Sequence, residues 1–511
     1  MTFDTWLLSL VVFLPLVGAG LIAAVPKAQV ALIRLIALVA SGASLVLGVV
    51  ALARFDYGRT HDMQFPVDKS WISSIGARYH MGVDGIALPL LVLTVLLTFL
   101  CVIYTTKIMP KPKDKVKGFM ALILLLETGM AGTFVSLDLV LFFVFWEMVL
   151  VPMYFMISIW GSERKEYSAI KFFLYTLFGS VFMLLGFLAM YFKSADPITG
   201  AHTFDMIKLQ GQHFGSVGFQ NLVFLGLFLG FAIKVPMWPF HTWLPDAHGD
   251  APTVGSVLLA GILLKMGAYG FIRIALPLLP NAARDWAPYI GGLSVIAILY
   301  GSLCCLAQKD IKRLIAFSSV GHMGFIMLGI STLTTTGINA AVFGMVAHGV
   351  ITGMLFFLAG SIYERYHTRV IDDIGPGMLQ KIPRMGAIFI FVAIASLGLP
   401  GLAGFWGEVL ALLSAFNPAA GLSHGLFRTY MVLGGVGTIL TAGYMLWLIQ
   451  RLNLGVIREK WANDSEVDDV RPMEGLAWAP LLVFVLALGV YPRMILEITN
   501  GAVAGLTKLF G

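Results

Sequence analysis

Charge is scarce in this sequence. Asp, Glu, Lys and Arg make up 12% of 511 residues, about half the share usual in soluble proteins. Cysteine is scarcer still: Cys101, Cys304 and Cys305 all lie inside apolar stretches, and their spacing suits neither a zinc or iron–sulfur site nor a disulfide framework. No glycine-rich nucleotide loop or flavin motif is present, so the chain alone is not expected to oxidise anything, and no metal or cofactor is expected to bind it. The formal charge of +6 is not a nucleic-acid signal, because the basic residues lie between apolar runs. The opening MTFDTWLLSLVVFLPLVGAGLIAAVP has no basic residue before Lys27. It reads as a retained first span and not as a signal peptide.

What is abundant is apolar surface. Hydrophobic residues reach 58% and mean hydropathy is +0.87, which places the chain among polytopic, all-α membrane proteins. Apolar runs long enough to cross about 30 Å of hydrocarbon number fourteen. They are numbered here as spans 1 to 14: 4–24, 30–53, 84–107, 118–135, 138–160, 168–193, 219–244, 252–275, 285–307, 313–333, 338–364, 384–415, 426–452 and 475–497. Loops after odd-numbered spans hold 21 Lys and Arg, against 11 for the termini and the other loops; Lys234 and Lys265 lie inside spans. The bias predicts that the odd loops are cytoplasmic and that both termini lie outside.

Two spans are interrupted. Span 7 ends in FAIKVPMWPFHTWLPDAH (231–248), where Pro236 and Pro239 each remove a backbone donor. Span 12 contains Gly398, Pro400, Gly401 and Gly404, and as one straight helix it would reach about 48 Å. Within a membrane such breaks are tolerated only when buried in protein or lining a hydrated cavity. They fall five spans apart, which predicts two five-span repeats, 4–8 and 9–13, the second inverted because five is odd. The chain then divides into residues 1–117 (three spans and a basic loop), 118–275 (first repeat), 285–452 (second repeat) and 475–511 (last span and C-terminus).

Several titratable residues sit at membrane depth: Glu127 in span 4, Glu147 in span 5, Lys234 in span 7, Lys265 in span 8, His322 in span 10, His348 in span 11 and Glu408 in span 12. Each charge there costs roughly 2.5–3.5 kcal/mol, so the series needs a reason. Alternating acid and base through both repeats suits proton transfer. Moving one charge against about 150 mV costs roughly 3.5 kcal/mol, within reach of a buried lysine that gains and loses a carboxylate. Asp138 and Glu364 read as interface residues. His241, Asp246, His248 and Asp250 read as a polar mouth beyond the span 7 break and not as a metal site.

The stretch KVPMWPFHTWLPDAHGDAPTVGSVLLAGILLKMGAYG (234–270) resembles the signature of the antiporter-like subunits of respiratory complex I. That family also includes subunits of multi-subunit sodium/proton antiporters and membrane-bound hydrogenases. The chain is most similar to the M-type branch. It carries Glu408 where the L-type and N-type subunits have a lysine, and it stops soon after span 14, where the L-type continues into a lateral helix. The resemblance implies that Glu147 and Lys234 form an ion pair that opens and closes. It further implies that Lys265 is the central relay, that His322 and His348 continue it, that Glu408 stands near the exit, and that Glu127 joins the polar axis. It implies proton movement from cytoplasm to periplasm in a bacterial inner membrane, driven by NADH oxidation and quinone reduction in other subunits. FMN, iron–sulfur clusters and quinone belong to those partners, and the neighbours expected are the L-type and N-type subunits. The alternative is a subunit of a sodium/proton antiporter.

Overall fold

The computed structural model describes residues 3–195 and 201–510. Among them, thirteen helices are long and apolar enough to cross a membrane: Phe3–Ala24, Val30–Arg54, Ala87–Thr105, Lys113–Val135, Leu139–Trp160, Lys165–Lys193, Val217–Lys234, Thr253–Leu278, Pro280–Leu306, Ile311–Ser331, Thr335–Tyr366, His424–Leu452 and Pro472–Val490. The twelfth crossing is a pair of half-helices, Pro383–Ser396 and Ala403–Phe416. The fourteen spans keep their numbers. Spans 8, 10 and 11 are buried along almost their whole length, whereas spans 2, 6, 13 and 14 turn apolar faces outward through residues such as Val46, Leu174, Ile439 and Val483. Lys265, His322 and His348 ride on this buried set.

Both expected breaks are present, and each is stitched back together. Span 7 stops at Lys234 and resumes as Trp243–Asp250. Pro236 cannot donate to the carbonyl of Ala232, and Met237 N–H donates there instead at 2.9 Å. That leaves the Ile233 carbonyl open, and the Trp243 indole N–H reaches back to it at 2.9 Å. In span 12, Gly398 and Gly401 adopt φ of +83° and +92°, a region closed to most side chains. The chain there makes a tight turn, with Leu402 N–H donating to the Leu399 carbonyl at 3.1 Å.

Two irregularities come without a break in the apolar run. Span 5 is interrupted between Leu139–Met148 and Leu150–Trp160, because Pro152 deprives the Met148 carbonyl of its helical donor. Span 8 widens into π turns at Leu259–Leu263 and Phe271–Ala275, on either side of Lys265, a device often found at functional positions.

Outside the bundle the structure differs from the sequence reading at two places. The loop after span 2 folds into an antiparallel hairpin, Gln64–Ile72 with Ala77–Val83. The run 475–497 is not one helix: span 14 ends at Val490, Pro492 turns the chain, and an amphipathic helix follows at Arg493–Thr507. That helix lies on the face of the even-numbered loops and is bonded to the start of span 11, with Thr499 donating to Asn339 at 2.6 Å.

One local arrangement occurs twice, on opposite faces. Asp138 caps span 5 by accepting from Val140 and Leu141 N–H. Its neighbours pair with the loop after span 6, Leu139 N–H to Phe204 O and Met206 N–H to Leu137 O, both at 2.9 Å. Asp310 caps span 10 in the same way through Lys312 and Arg313 N–H. Its neighbours pair with the loop after span 11, Ile311 N–H to Arg369 O and Ile371 N–H to Lys309 O, at 3.0 and 2.8 Å. A one-turn helix follows each pairing, Met206–Leu209 and Ile371–Ile374.

Candidate functional site

Lys265 lies twelve residues into span 8, about 18 Å from its start, and is fully buried. Its ammonium donates to the Ala260 carbonyl within the widened π turn. A second bond, at 2.6 Å, joins its Nζ to His348 Nδ1 on span 11. The two helices can come this close because a side chain at Gly349 would meet the Gly261 carbonyl at 2.9 Å.

From His348 the line continues to His322 on span 10, with ring centroids 5.6 Å apart. His322 Nδ1 is 2.8 Å from Glu408 Oε1, and its Nε2 is 3.2 Å from Ser396 Oγ at the end of the first half-helix of span 12. The group surrounds a cavity of about 30 Å³ that is also lined by Thr352, room for a water between the two imidazoles. The outer oxygen of Glu408 has no hydrogen-bond partner and faces Gly398 in the span 12 turn. Four of the candidate residues therefore follow one another across the bundle, Lys265 in the first repeat and His348, His322 and Glu408 in the second. A histidine between an amine and a carboxylate can accept a proton at one nitrogen and release one at the other, so this line can relay protons by exchanging bonds.

Spans 5 and 7 are arranged differently. Glu147 and Lys234 do not form an ion pair in this structure. Lys234 is 1% exposed, yet its Nζ has no hydrogen-bond partner, and one oxygen of Glu147 has none either. What stands beside the ammonium is the Trp146 ring, its centroid 5.0 Å from Nζ. Glu127 is also fully buried, and neither of its oxygens is hydrogen-bonded.

The segment beyond the span 7 break is polar as expected, but it divides in two. Asp246 is bridged by Lys171 at 2.7 Å and Arg313 at 2.9 Å, and Asp250 accepts from Ser162 and Ser168. These contacts belong to the face of the odd-numbered loops. His248, by contrast, is fully buried, its ring stacked 4.5 Å from Phe356 of span 11 with neither nitrogen bonded. Lys312, at the start of span 10, is buried with its ammonium on the Ala251 carbonyl at 2.8 Å. The sequence reading passed over both as candidate path residues. His248 carried a signal, since it lies within the apolar-flanked half-helix after the span 7 break. Lys312 carried none, being masked by Lys309 and Arg313 at the end of its span.

Two further buried charge pairs escaped the sequence reading. Arg365 binds both oxygens of Glu474 at 2.8 and 2.7 Å. Arg273 binds Asp84 and Tyr269, and the Tyr269 hydroxyl donates to the Phe134 carbonyl. Among the described residues, Asp68, His80 and Asp205 converge closely enough to resemble a metal group. Arg78 already occupies Asp68, and His80 is bonded to Asp205 at 2.9 Å.

The profile of the family described as NADH:quinone oxidoreductase/Mrp antiporter, transmembrane region, matches residues 136–434. The NADH-quinone oxidoreductase subunit M of Rhodobacter capsulatus is 41% identical over 511 residues, covering 98% of this chain and 96% of that one. A chain of respiratory complex I from Thermus thermophilus with bound NADH is 28% identical with a TM-score of 0.85, covering 99% of this chain and 100% of that one. A chain of the Mrp complex from Dietzia sp. DQ12-45-1b has a TM-score of 0.82 at 22% identity, covering 100% and 99%, a likeness of fold. With its helical membrane architecture and near-full-length match, the chain belongs to the NADH:quinone oxidoreductase/Mrp antiporter family, as an antiporter-like M subunit of complex I.

Proposed function

We propose that this subunit carries protons across the bacterial inner membrane, from the face of the odd-numbered loops to the face of the even-numbered ones, while electrons move in other subunits. The observation that carries the reading is the succession Lys265–His348–His322–Glu408 at membrane depth, bonded at both ends with room for one water between the two imidazoles. The Lys and Arg bias makes the odd face cytoplasmic, so both termini are periplasmic. Uptake then begins near Asp246 and Asp250, and release follows Glu408, whose half-helix runs towards the periplasmic face. Glu147 and Lys234 are the gated pair on this reading, their unbonded arrangement corresponding to its open state, and Glu127 adds a carboxyl group in span 4. His248 and Lys312 lie between the cytoplasmic mouth and Lys265. The matching Asp138 and Asp310 pairings on opposite faces support inverted repeats over spans 4–8 and 9–13. They fit the division at 118–275 and 285–452.

On this reading FMN, iron–sulfur clusters and quinone belong to partner subunits, and the L-type and N-type antiporter-like subunits are among the neighbours. The test is Glu408→Gln and His322→Ala in the native host, with NADH-driven proton uptake and quinone reduction measured in inside-out vesicles. A fall of roughly tenfold or more in both activities is expected in an assembled complex. Full activity with impaired sodium tolerance would instead favour an antiporter complex.

A further inference from the structure

A buried ammonium without a hydrogen-bond acceptor needs some other partner. For Lys234 the structure offers one: the Trp146 ring 5.0 Å from Nζ. The face of an indole attracts a cation through its quadrupole, and more strongly where water is excluded. Trp146 is itself 1% exposed and firmly held. Its indole N–H donates to Ser180 Oγ at 3.0 Å, and Ser180 donates to the Thr176 carbonyl at 3.0 Å. Phe142 stacks on the ring at 5.6 Å and Phe231 meets it edge-on at 5.7 Å. The ring therefore keeps its place whatever the lysine does.

The competing partner is the next residue in the chain. Glu147 is only partly buried, with one oxygen unbonded, and it lies about 100° around the helix from Trp146. The backbone is irregular immediately after it, at the Met148–Val149 interruption caused by Pro152. Lys234 for its part is the last residue of its half-helix, before the proline break. One end of the pair is thus fixed to a loosened segment and the other to a free helix end.

We propose that Trp146 is a positioning residue that gives Lys234 a second seat: the ammonium rests on the indole face when it is not paired with Glu147. This rests on the proposed function, in which Lys234 takes part in proton movement. The two seats differ in chemistry. The carboxylate can accept a hydrogen bond or a proton, whereas the ring face holds charge but takes no proton. A lysine on the ring is held as the ammonium with its N–H groups uncommitted; once it gives a proton to an acceptor further in, it is the neutral amine and the ring no longer holds it. Trp146 would thereby stabilise the open arrangement without competing for the proton.

The test uses the intact complex in native membranes, with assembly checked on native gels, and compares Trp146→Phe, Trp146→Leu, Lys234→Met and the Trp146→Leu/Lys234→Met double variant. The readout is NADH-driven proton uptake per quinone reduced. Trp146→Phe keeps a π face and is expected to retain uptake within about threefold, while Trp146→Leu loses roughly tenfold. In the Lys234→Met background, Trp146→Leu is expected to add less than about twofold, since the seat has no occupant. Should Trp146→Leu prevent assembly, Trp146→Met replaces it as the variant without a π face. If Leu or Met behaves like Phe, or if removing the ring worsens the Lys234→Met defect by its full factor, Trp146 is only packing and the proposal fails. If Lys234→Met leaves uptake intact, the role assigned to Lys234 fails first and the second seat with it.

Discussion

Lys234 and Lys265 are both lysines near the middle of the membrane, and both are shielded almost completely, yet their surroundings have little in common. Lys265 is satisfied: a π turn presents the Ala260 carbonyl, and His348 supplies an imidazole nitrogen. Lys234 ends a helix cut off by proline, bonds to no acceptor, and leans on an aromatic face. A satisfied lysine can hand over a proton through bonds already made, without moving its side chain. An unsatisfied one must swing to meet a partner. On the proposed reading, the line from Lys265 to Glu408 conducts and the Lys234 site gates. A third class of buried charge sharpens the contrast. Arg365 with Glu474, and Arg273 with Asp84, are closely bonded pairs of an always-charged guanidinium, and these hold helices together.

That contrast can be broken by experiment. The largest effect is expected from Arg365→Gln, which strands Glu474 in the interior and should destabilise the subunit by about 3–5 kcal/mol. It is read as lost assembly and a lower thermal midpoint of the complex. Turnover per assembled complex should stay near normal; if it falls as far as assembly does, the pair is not purely structural. Lys265→Met should do the opposite, leaving assembly intact while lowering NADH-driven proton uptake roughly a hundredfold, about 2.7 kcal/mol. Glu408→Gln keeps one hydrogen bond to His322 but cannot take up a proton, and a loss of roughly tenfold is expected in the same assay. Trp243→Phe leaves the Ile233 carbonyl without its donor at the span 7 break, a cost of about 1–2 kcal/mol. It should show as a small drop in thermal stability with proton uptake nearly unchanged.

Much of this was legible in the sequence, and the reasons differ by feature. Helix positions follow from apolar run length, and the two large breaks from Pro236, Pro239, Pro400 and their glycines. The acid–base series was visible because charge at that depth is costly. Whether two members touch was not visible: the Glu147–Lys234 separation depends on a side-chain swing that no spacing encodes, whereas His322 and Glu408 are fixed by helix packing. The span 5 interruption had a signal in Pro152 that was hidden inside a long apolar run. The π turns of span 8 had no breaker to betray them. The hairpin at 64–83 hid in a loop where alternation is weak, and the helix at 493–507 was fused with span 14 because its apolar residues continue past Pro492.

Glu147→Gln on the native chromosome tests the proposed gating pair directly. NADH-driven quinone reduction and proton uptake would be measured together in inside-out vesicles carrying an assembled complex. The account predicts that both collapse, because Lys234 loses the carboxylate proposed to draw it from the Trp146 face. Both activities surviving at the level of the unaltered complex would contradict it.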